Sequence, residues 1–487
     1  MRYISTRGGV SPIEFQDAVL MGLADDGGLI VPESIPDASG ELERWRRLPY
    51  DELAYEVLRL YASDMPEADL RELVVRTYSR DAFDPAPAPT VSVGSIHVLE
   101  LWHGPTLAFK DIALQLLGNL FEYILHRRGG RLNILGATSG DTGSAAIAGC
   151  RGRRGIDIFI MHPRGRVSPI QQRQMTTVLD DNVHNIAVEG SFDDCQRIMK
   201  QIAGDLDFKR RHSLGAVNSV NWARVLAQIV YYFRAAFDAQ AATGAERVRV
   251  TVPTGNFGDV LAGWYALKMG APISLLILAT NVNDILARFY NTGVYALGSV
   301  VQTTSPSMDI QVASNFERYL YYKVGCDGAR LRTMMSEFAR TGSLSIEPGP
   351  DGVIDADFLA GTATEEQVFA TIRKYHQEHG YLLDPHTAVG VTVAENVGRA
   401  AEPAPLGLHA GEPAASSRAR QTRAPYDPPI VCLATAHPAK FPDAIKQATG
   451  EDLARHPAID ALAGLPTRCE VLPNDTQAVR QFIERTV

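Results

Sequence analysis

The sequence has few cysteines, and their spacing pairs none of them. The five cysteines lie at positions 150, 195, 326, 432 and 469, scattered and odd in number. Close cysteine pairs are typical of metal sites and redox motifs, and an even set in a short secreted chain is typical of a disulfide framework. No cluster of other residues has metal-ligand spacing either. The pattern predicts reduced thiols in a cytoplasmic protein.

The sequence also lacks a long apolar run and an excess of basic residues. No uninterrupted hydrophobic segment approaches the roughly 20 residues that span a bilayer. The N-terminal stretch MRYISTRGGVSPIEF has no charged-then-apolar signal pattern. A net charge of -9 at pH 7 argues against a nucleic-acid-binding protein, which would present a basic surface. We therefore expect a cytoplasmic protein that binds neither membranes nor nucleic acids.

What is present is the composition of an ordinary globular chain. With 487 residues, 45% of them hydrophobic and 21% charged, the chain exceeds one compact core, and two or three domains are expected. The first part contains two amphipathic helical patterns, SPIEFQDAVLMGLA and DELAYEVLRLYASDM, and ends at the proline-spaced stretch DAFDPAPAPT. We predict a mainly helical N-terminal domain over residues 1–90 and a second region over residues 91–487.

In the second region, strand and helix patterns alternate. The apolar runs RLNILGA and RVRVTVP each lead into a glycine-containing turn and a helix, and DIFIMHP, PISLLILAT and IVCLATA have the pattern of further buried strands. This order predicts α/β architecture with parallel sheets. Residues 401–428 differ, because they are rich in Pro, Ala, Ser and Arg and have few large apolar residues. We predict that they form a flexible surface insertion.

A lysine at a predicted helix start is the first candidate for chemistry. Lys110 follows loop residues 104–106 and precedes apolar residues at helical spacing. The positive end of the helix dipole disfavours an ammonium there, and burial would lower the pKa of the lysine further. A neutral amine suits Schiff-base chemistry. The alternative is a lysine that extends from the helix end to solvent, the commoner role of an isolated lysine.

Two glycine-containing loops lie at predicted strand-to-helix junctions, ATSGDTGSAA at residues 137–146 and PTGNFGD at residues 253–259. Backbone N–H groups at such a helix start form an anion site that suits a phosphate. Neither loop contains a nucleotide-binding fingerprint, and tight turns also use glycine for backbone reasons alone. Together with Lys110, the two loops fit what a phosphorylated aldehyde cofactor needs.

A third element is the segment CLATAHPAKFP, residues 432–442. It contains Thr435 at the carboxyl end of a predicted strand, where ligands bind in open parallel sheets. The threonine hydroxyl is able to hydrogen-bond a ring nitrogen. The alternative is a β-branched strand residue with no functional role, which is more common for a threonine taken alone.

The sequence resembles the threonine synthase family, in the longer branch known from enteric bacteria and fungi, over nearly its entire length. The segments that carry the resemblance follow the family's order: STRG, GLADDGGLIVP, HGPTLAFKD, LGATSGDTGSAA, GRVSPIQQRQMTT, NSVNWAR, VPTGNFGD, SPSMDIQVASNFERY, DPHTAVG and ATAHPAKFP. The resemblance implies the pyridoxal-phosphate fold of the tryptophan synthase β group. Two α/β domains then enclose the cofactor, and the N-terminal extension packs on them. It also implies the reaction, in which O-phospho-L-homoserine and water become L-threonine and phosphate.

The resemblance assigns roles to the residues singled out above. Lys110 matches the family's Schiff-base lysine, and Thr435 matches the hydroxyl that faces the pyridine nitrogen of pyridoxal 5′-phosphate. The residues that match the cofactor-phosphate loop are Gly255, Asn256, Phe257, Gly258 and Asp259. Related short-branch enzymes carry S-G-N-T, whose asparagine contacts the 3′ oxygen of the cofactor. This chain has Asp141 at that position, so the residue that makes this contact is left open.

The substrate carries a carboxylate and a phosphate, for which we expect different ligands. The expected carboxylate ligands are Thr138, Ser139 and Thr142, beside Asp141 at the same helix start. The expected phosphate ligands are His103, Arg164, Ser168, Arg224 and Ser307. Alternatively, Arg164 and Arg166 belong to a solvated surface loop, and Asp309 and Asn315 order the segment around Ser307. For His386 a structural role is favoured over contact with the cofactor.

Other functions remain open at this point. One alternative is a different enzyme of the same fold, such as a serine or threonine dehydratase or a cysteine synthase, although the long N-terminal extension and SPSMDIQ fit those families poorly. A second is a non-catalytic relative that binds a phosphoester, and a third is a nucleotide-binding protein. We expect a monomer or a homodimer that acts on a small molecule.

Overall fold

The computed structural model describes residues 1–138, 140–215, 217–350, 352–397 and 428–487. Its strands are β1 (Tyr3–Ser5), β2 (Ile30–Pro32), β3 (Thr90–Val93), β4 (Ile96–Glu100), β5 (Leu132–Ala137), β6 (Ile156–Pro163), β7 (Val183–Glu189), β8 (Leu214–Gly215), β9 (Val248–Pro253), β10 (Ile273–Thr280), β11 (Val294–Ala296), β12 (Ser343–Ser345), β13 (Phe358–Thr362), β14 (Ile430–Ala434) and β15 (Glu470–Pro473).

The α-helices of the same residues are α1 (Phe15–Met21), α2 (Leu42–Trp45), α3 (Tyr50–Arg59), α4 (Glu67–Thr77), α5 (Lys110–Arg128), α6 (Asp141–Cys150), α7 (Pro169–Thr176), α8 (Phe192–Gly204), α9 (Leu206–Arg211), α10 (Trp222–Thr243), α11 (Gly258–Lys268), α12 (Ile285–Thr292), α13 (Phe316–Lys323), α14 (Gly328–Thr341), α15 (Glu365–His379), α16 (Pro385–Val397), α17 (Pro442–Thr449), α18 (Pro457–Asp460) and α19 (Thr476–Thr486). Short 3-10 turns lie at Ser39–Glu41, Pro306–Met308, Pro438–Lys440 and Ala461–Gly464.

The larger sheet has six strands in the order β13-β10-β9-β14-β4-β3. Its neighbours are parallel except at one edge, where β3 and β4 are antiparallel. The parallel strands therefore all end at the same edge of the sheet. The loops that follow β4, β9 and β14 begin at that edge. The first leads to Lys110 at the start of α5, the second is the turn of residues 254–257 before α11, and the third contains Thr435.

The second sheet has five strands in the order β15-β7-β6-β5-β8, and all of its neighbours are parallel. The central strands β5 and β6 are apolar on both faces because helices cover the sheet, which explains their continuous hydrophobic runs. The prediction of an α/β fold with two parallel sheets is confirmed.

The N-terminal part is mainly helical, as predicted, and packs on the α/β region. The two predicted amphipathic segments form α1 and α3. An antiparallel pair, β1 with β2, was not predicted, because three-residue strands give no readable alternation. The ring of Trp222 on α10 lies 6.1 Å from that of Tyr3 and 5.6 Å from that of Tyr61, so aromatic packing joins the two parts.

The insertion predicted over residues 401–428 falls outside the described residues except for residue 428. Within the part of the chain that the structure describes, no helix combines the length and apolar character needed to cross a membrane.

Candidate active site

Lys110 is the first residue of α5 and is buried, with 9% of its surface exposed. Two contacts hold the preceding loop in place. The backbone N–H of Phe109 donates to the carbonyl of Thr435 at 2.9 Å, and the Thr106 hydroxyl donates to Asp111 at 2.7 Å. Lys110 therefore meets the condition of burial under which a lowered pKa was expected, and its side chain does not extend to solvent.

Burial is the main reason that the pKa of Lys110 is lowered from its ordinary value. The cations of Lys440 and Arg224 lower the pKa further, while the carboxylate of Asp141 opposes them. The net effect shifts the pKa of Lys110 in the direction of the neutral amine, as expected from the sequence.

The amine of Lys110 has two polar neighbours from distant parts of the chain. Its Nζ donates to the Ser307 hydroxyl at 3.3 Å and lies 3.7 Å from Oδ2 of Asp141. The backbone N–H of Ser307 donates to Nε2 of His386 at 3.3 Å, and Nδ1 of that imidazole lies 3.0 Å from Asp384. His386 is thus a satisfied histidine, as favoured, and it orders the residue that contacts Lys110.

The 255–258 loop connects β9 to α11 and has the geometry of an anion site. Within the described part of the chain, the backbone N–H groups of residues 255–258 donate no hydrogen bond. A Cβ on Gly255 would lie 2.4 Å from the carbonyl oxygen of Ser307, so only glycine permits this close approach. Phe257 has a left-handed φ of 65°, a strained conformation that its buried ring stabilises. Free donors at a helix N-terminus fit a phosphate group.

Asp259, which the resemblance grouped with this loop, has a different environment. Its Oδ1 accepts hydrogen bonds from the hydroxyls of Tyr231 at 2.5 Å and Tyr232 at 2.8 Å. Burial raises the pKa of Asp259 to about 6, although the two hydrogen bonds oppose the shift. A carboxylate offers no donor to an anion, so its side chain holds α11 against α10.

Asp141 lies between two buried lysines, Lys110 and Lys440, and a role for Lys440 was not predicted from the sequence. Nζ of Lys440 lies 3.0 Å from Oδ1 of Asp141, and Gln171 donates to the same oxygen at 2.8 Å. Burial opposes ionisation of Asp141, but the charges of Lys440 and Lys110 outweigh it and hold its pKa well below the usual range. Lys440 lies within the segment ATAHPAKFP. A lysine in such an apolar segment was the feature from which burial of Lys440 was predictable.

The predicted carboxylate ligands lie at the start of α6. The hydroxyl of Thr138 accepts from the backbone N–H groups of Gly140 at 3.0 Å and Gly143 at 2.9 Å, so it shapes the loop. Thr142 lies in the first turn of the helix and is partly exposed. Ser139 lies outside the described residues, and its role stays a prediction.

The structure does not bring all five predicted phosphate ligands to Lys110. Both ring nitrogens of His103 are engaged, one with Glu100 at 2.8 Å and one with the carbonyl of Asp84 at 3.0 Å. Arg164 is largely exposed and pairs with Glu189 at 2.7 Å, which agrees with the solvated-loop alternative. The hydroxyl of Ser168 caps α7 by accepting from the backbone N–H of Gln171 at 3.2 Å.

Arg224, in contrast, is buried and forms no ion pair with any of the residues that the structure describes. Its side chain is 6% exposed, and Nη1 is buried without a hydrogen-bond partner in the described residues. Burial lowers the pKa of the guanidinium to about 10. The positive charge of Arg224 is one of the causes that lower the pKa of Lys110.

Asp309 and Asn315 order the site, as the alternative for them stated. The carboxylate of Asp309 accepts from the Thr303 hydroxyl at 2.7 Å and from the Asn281 amide at 2.8 Å, which fixes the segment before Ser307. The backbone N–H of Asn315 donates to the carbonyl of Asn256 at 3.0 Å, which fixes the anion loop.

The fold, the buried amine and the anion loop define a pyridoxal-phosphate-dependent enzyme, and the residues present fit this cofactor. A family model described as pyridoxal-phosphate dependent enzyme matches residues 85–352. Models described as threonine synthase N terminus and threonine synthase C-terminal match residues 2–78 and 413–483.

Similar proteins give the same result over the whole chain. A threonine synthase from Pseudomonas aeruginosa is 46% identical over 492 residues, covering 100% of this chain and 98% of the relative. The crystal structure of a pyridoxal-phosphate-bound threonine synthase from Brucella melitensis is 43% identical, with a TM-score of 0.89 and coverage of 100% and 99%. The yeast threonine synthase structure is 38% identical, with a TM-score of 0.89 and coverage of 100% and 98%. The chain belongs to the threonine synthase family.

Proposed function

We propose that this chain converts O-phospho-L-homoserine and water into L-threonine and inorganic phosphate. The observation that supports the proposal is the buried amine of Lys110, which contacts Ser307, together with two features that we propose bind anions. One is the free N–H loop at residues 255–258, for the cofactor phosphate. The other is Arg224 with its unpaired Nη1, for the substrate phosphate.

The bound pyridoxal phosphate supplies an electron sink that stabilises negative charge on the substrate. We propose that Lys110 holds the cofactor, that the 255–258 loop binds its phosphate, and that the Thr435 hydroxyl faces its ring nitrogen. A hydroxyl does not enforce a protonated ring nitrogen, and this favours chemistry at the β- and γ-carbons.

Lys110 is the proposed acid and base. Once the amine of the substrate has replaced Nζ on the cofactor, the freed neutral amine of Lys110 takes the proton from the α-carbon of the substrate and then moves protons at the β-carbon. Phosphate leaves from the γ-carbon, and water adds at the β-carbon. The direction of the pKa shift at Lys110, which burial lowers, supports this role, because an ammonium has no lone pair to accept a proton.

Two sets of residues are proposed to hold the substrate. Arg224 and Ser307 bind its phosphate, since an unpaired buried guanidinium supplies a fork of donors to phosphate oxygens. Thr142 and the N-terminus of α6 bind its carboxylate, with Ser139. His103, Arg164 and Ser168 are left out of the set: both ring nitrogens of His103 are engaged, Arg164 is exposed and pairs with Glu189, and the Ser168 hydroxyl caps α7.

We further propose a cytoplasmic enzyme that acts as a monomer or a homodimer. All five cysteines are free thiols, and three of them, Cys150, Cys195 and Cys432, are buried. Free buried thiols suit a reducing compartment.

Product analysis tests the proposed reaction. Wild-type protein with O-phospho-L-homoserine should release threonine and phosphate in equal amounts, while Lys110→Ala should lose turnover by at least about 10³-fold and remain folded. Lys446→Ala, a change at an exposed lysine of α17, is the control and should retain turnover. Ketoacid production from threonine or serine as the dominant reaction would identify a dehydratase and contradict the proposal.

A matched pair of arginines tests the proposed substrate phosphate site. Arg224→Met should raise KM at least about tenfold, because one charge-assisted hydrogen bond contributes about 1.5–3 kcal/mol. Arg164→Met, which removes an exposed arginine paired with Glu189, should leave KM unchanged. Equal effects of the two variants would remove Arg224 from the site.

A further inference from the structure

We propose that Lys440 is a positioning residue whose ammonium neutralises Asp141, and that the neutralised carboxylate leaves the amine of Lys110 uncharged. The inference deepens the proposed function and rests on its assignment of Lys110 as the reactive amine. It gives a role to a buried lysine that the chemistry described above does not use.

The surroundings of Lys440 are those of a charged lysine. Its Nζ donates to the carbonyl of Thr106 at 2.6 Å and to Oε1 of Gln174 at 3.0 Å, and it lies 3.0 Å from Oδ1 of Asp141. An ammonium has three N–H donors, and the site supplies three acceptors. The side chain is fully buried, so water does not compete for these contacts.

The two carboxylate oxygens of Asp141 have different neighbours. Oδ1 is occupied by Lys440 and by the amide of Gln171 at 2.8 Å. Oδ2 faces the amine of Lys110 at 3.7 Å, longer than a hydrogen bond. The carboxylate is therefore bound to Lys440 and only adjacent to Lys110.

Charge balance follows from this arrangement. With Lys440 charged, Asp141 charged and Lys110 neutral, the three groups sum to zero, whereas a proton on Lys110 would leave a buried net positive charge. Without Lys440, the free carboxylate would pair with a protonated Lys110. Lys440 thus sets the charge state that proton abstraction requires.

Other titratable and charged groups also face this cluster. Arg224 on α10 is a positive charge that lowers the pKa of Lys110. Asp111, on α5 with Lys110, has the opposite effect on that pKa, and burial raises the pKa of its own carboxyl group to about 6. His386 on α16 faces Asp141. None of these groups bonds the carboxylate of Asp141, so Lys440 is the cation best placed to neutralise it.

The charge state of Lys110 is measurable without turnover. We would label the full-length chain, after removal of the cofactor, with trace acetic anhydride across a range of pH, and follow the Lys110 peptide by mass spectrometry. Only the neutral amine reacts, so the midpoint of the rate profile reports protonation of Lys110. In the holoenzyme, where Lys110 is bound to the cofactor, the pH midpoint of the visible absorbance reports protonation of the nitrogen that joins them, and this midpoint should shift in the same direction.

We predict that two variants shift the pH midpoint of Lys110 labelling in opposite directions. Lys440→Met should raise the labelling midpoint by about one pH unit or more, so that labelling below it slows about tenfold. Asp141→Asn should lower the midpoint, because the opposing carboxylate is gone. Lys446→Met, at an exposed lysine of α17, should leave it unchanged.

Two results would overturn the proposal. One is an unchanged midpoint in Lys440→Met. The other is a rise in both variants, which is what solvent entry into a loosened site would produce. If circular dichroism shows that Lys440→Met is unfolded, Lys440→Gln, which keeps a hydrogen-bond donor and removes the charge, replaces it, and an unchanged midpoint in that variant contradicts the proposal. Labelling requires no catalysis, so loss of the proposed reaction and loss of this charge coupling are distinguished.

Discussion

Arg224 and Arg318 provide a direct test of what a buried charge does to this fold. Both guanidiniums are buried, and burial lowers the pKa of each to about 10. Their partners differ. Arg318 donates to the carbonyls of Ile30 at 2.9 Å and Val220 at 2.5 Å, whereas Arg224 has an unpaired Nη1. Replacement by methionine should therefore change stability in opposite directions.

The magnitudes follow from the two environments. Since the pKa of Arg224 falls from 12.5 to about 10, keeping it charged at neutral pH costs roughly 3 kcal/mol of folding free energy at most. Arg224→Met should thus be more stable than wild type by about 1–3 kcal/mol. Arg318→Met leaves buried carbonyls unpaired and should lose about 3–5 kcal/mol.

The assay is urea unfolding of the holoenzyme without substrate, followed by circular dichroism. If both variants are destabilised by similar amounts, Arg224 has a structural partner, and its proposed role as a reserved anion ligand is wrong. We expect the Arg224→Met protein to be more stable and to bind substrate more weakly. This combination is typical of a functional residue whose buried charge reduces the stability of the fold.

Two further changes test the anion loop. Gly255→Ala places a Cβ 2.4 Å from the Ser307 carbonyl and should weaken cofactor affinity about tenfold or more, as measured by absorbance titration. Gly204→Ala is the control, because a Cβ at that position meets open space. Equal cofactor affinities in the two variants would contradict the argument that Gly255 is needed for close approach. For Asp259, the pKa of about 6 in the fold exceeds the ordinary value of 3.8, so its contribution to stability falls as pH rises from about 4 to 6. The free energy of unfolding of Asp259→Asn should therefore increase relative to that of wild type across that window, by up to roughly 3 kcal/mol. A difference between the two proteins that stays constant with pH would contradict the raised pKa of Asp259.

Local pattern was sufficient to predict the elements of the α/β fold and the residue at their centre. Helical spacing after Lys110 placed it at a helix start, and the apolar runs before the two glycine loops formed β5 and β9 as predicted. These predictions succeeded because strand, turn and helix signals are each carried by neighbouring residues. The alternation of elements then fixed the sheet edge at which the loops meet.

Contacts between distant parts of the chain were not predictable in this way. Lys440 hydrogen-bonds Gln174, 266 residues away, and no local pattern reports such a pairing. Arg164, which directly precedes the segment GRVSPIQQRQMTT, and Arg224, which ends the segment NSVNWAR, are the same residue type. Arg164 is exposed and ion-paired, whereas Arg224 is buried and its Nη1 has no partner among the described residues. The left-handed backbone of Phe257 was likewise not predicted, because tertiary packing of its ring stabilises a conformation that its own residue type disfavours.

The most direct test is to find which lysine carries the cofactor. Treatment of the holoenzyme with borohydride should fix pyridoxal phosphate to the protein, and peptide mapping should find it on Lys110. Lys440 is buried on the other side of Asp141 and serves as the internal comparison. A cofactor fixed to Lys440, or to neither lysine, would contradict the assignment of Lys110 as the reactive amine.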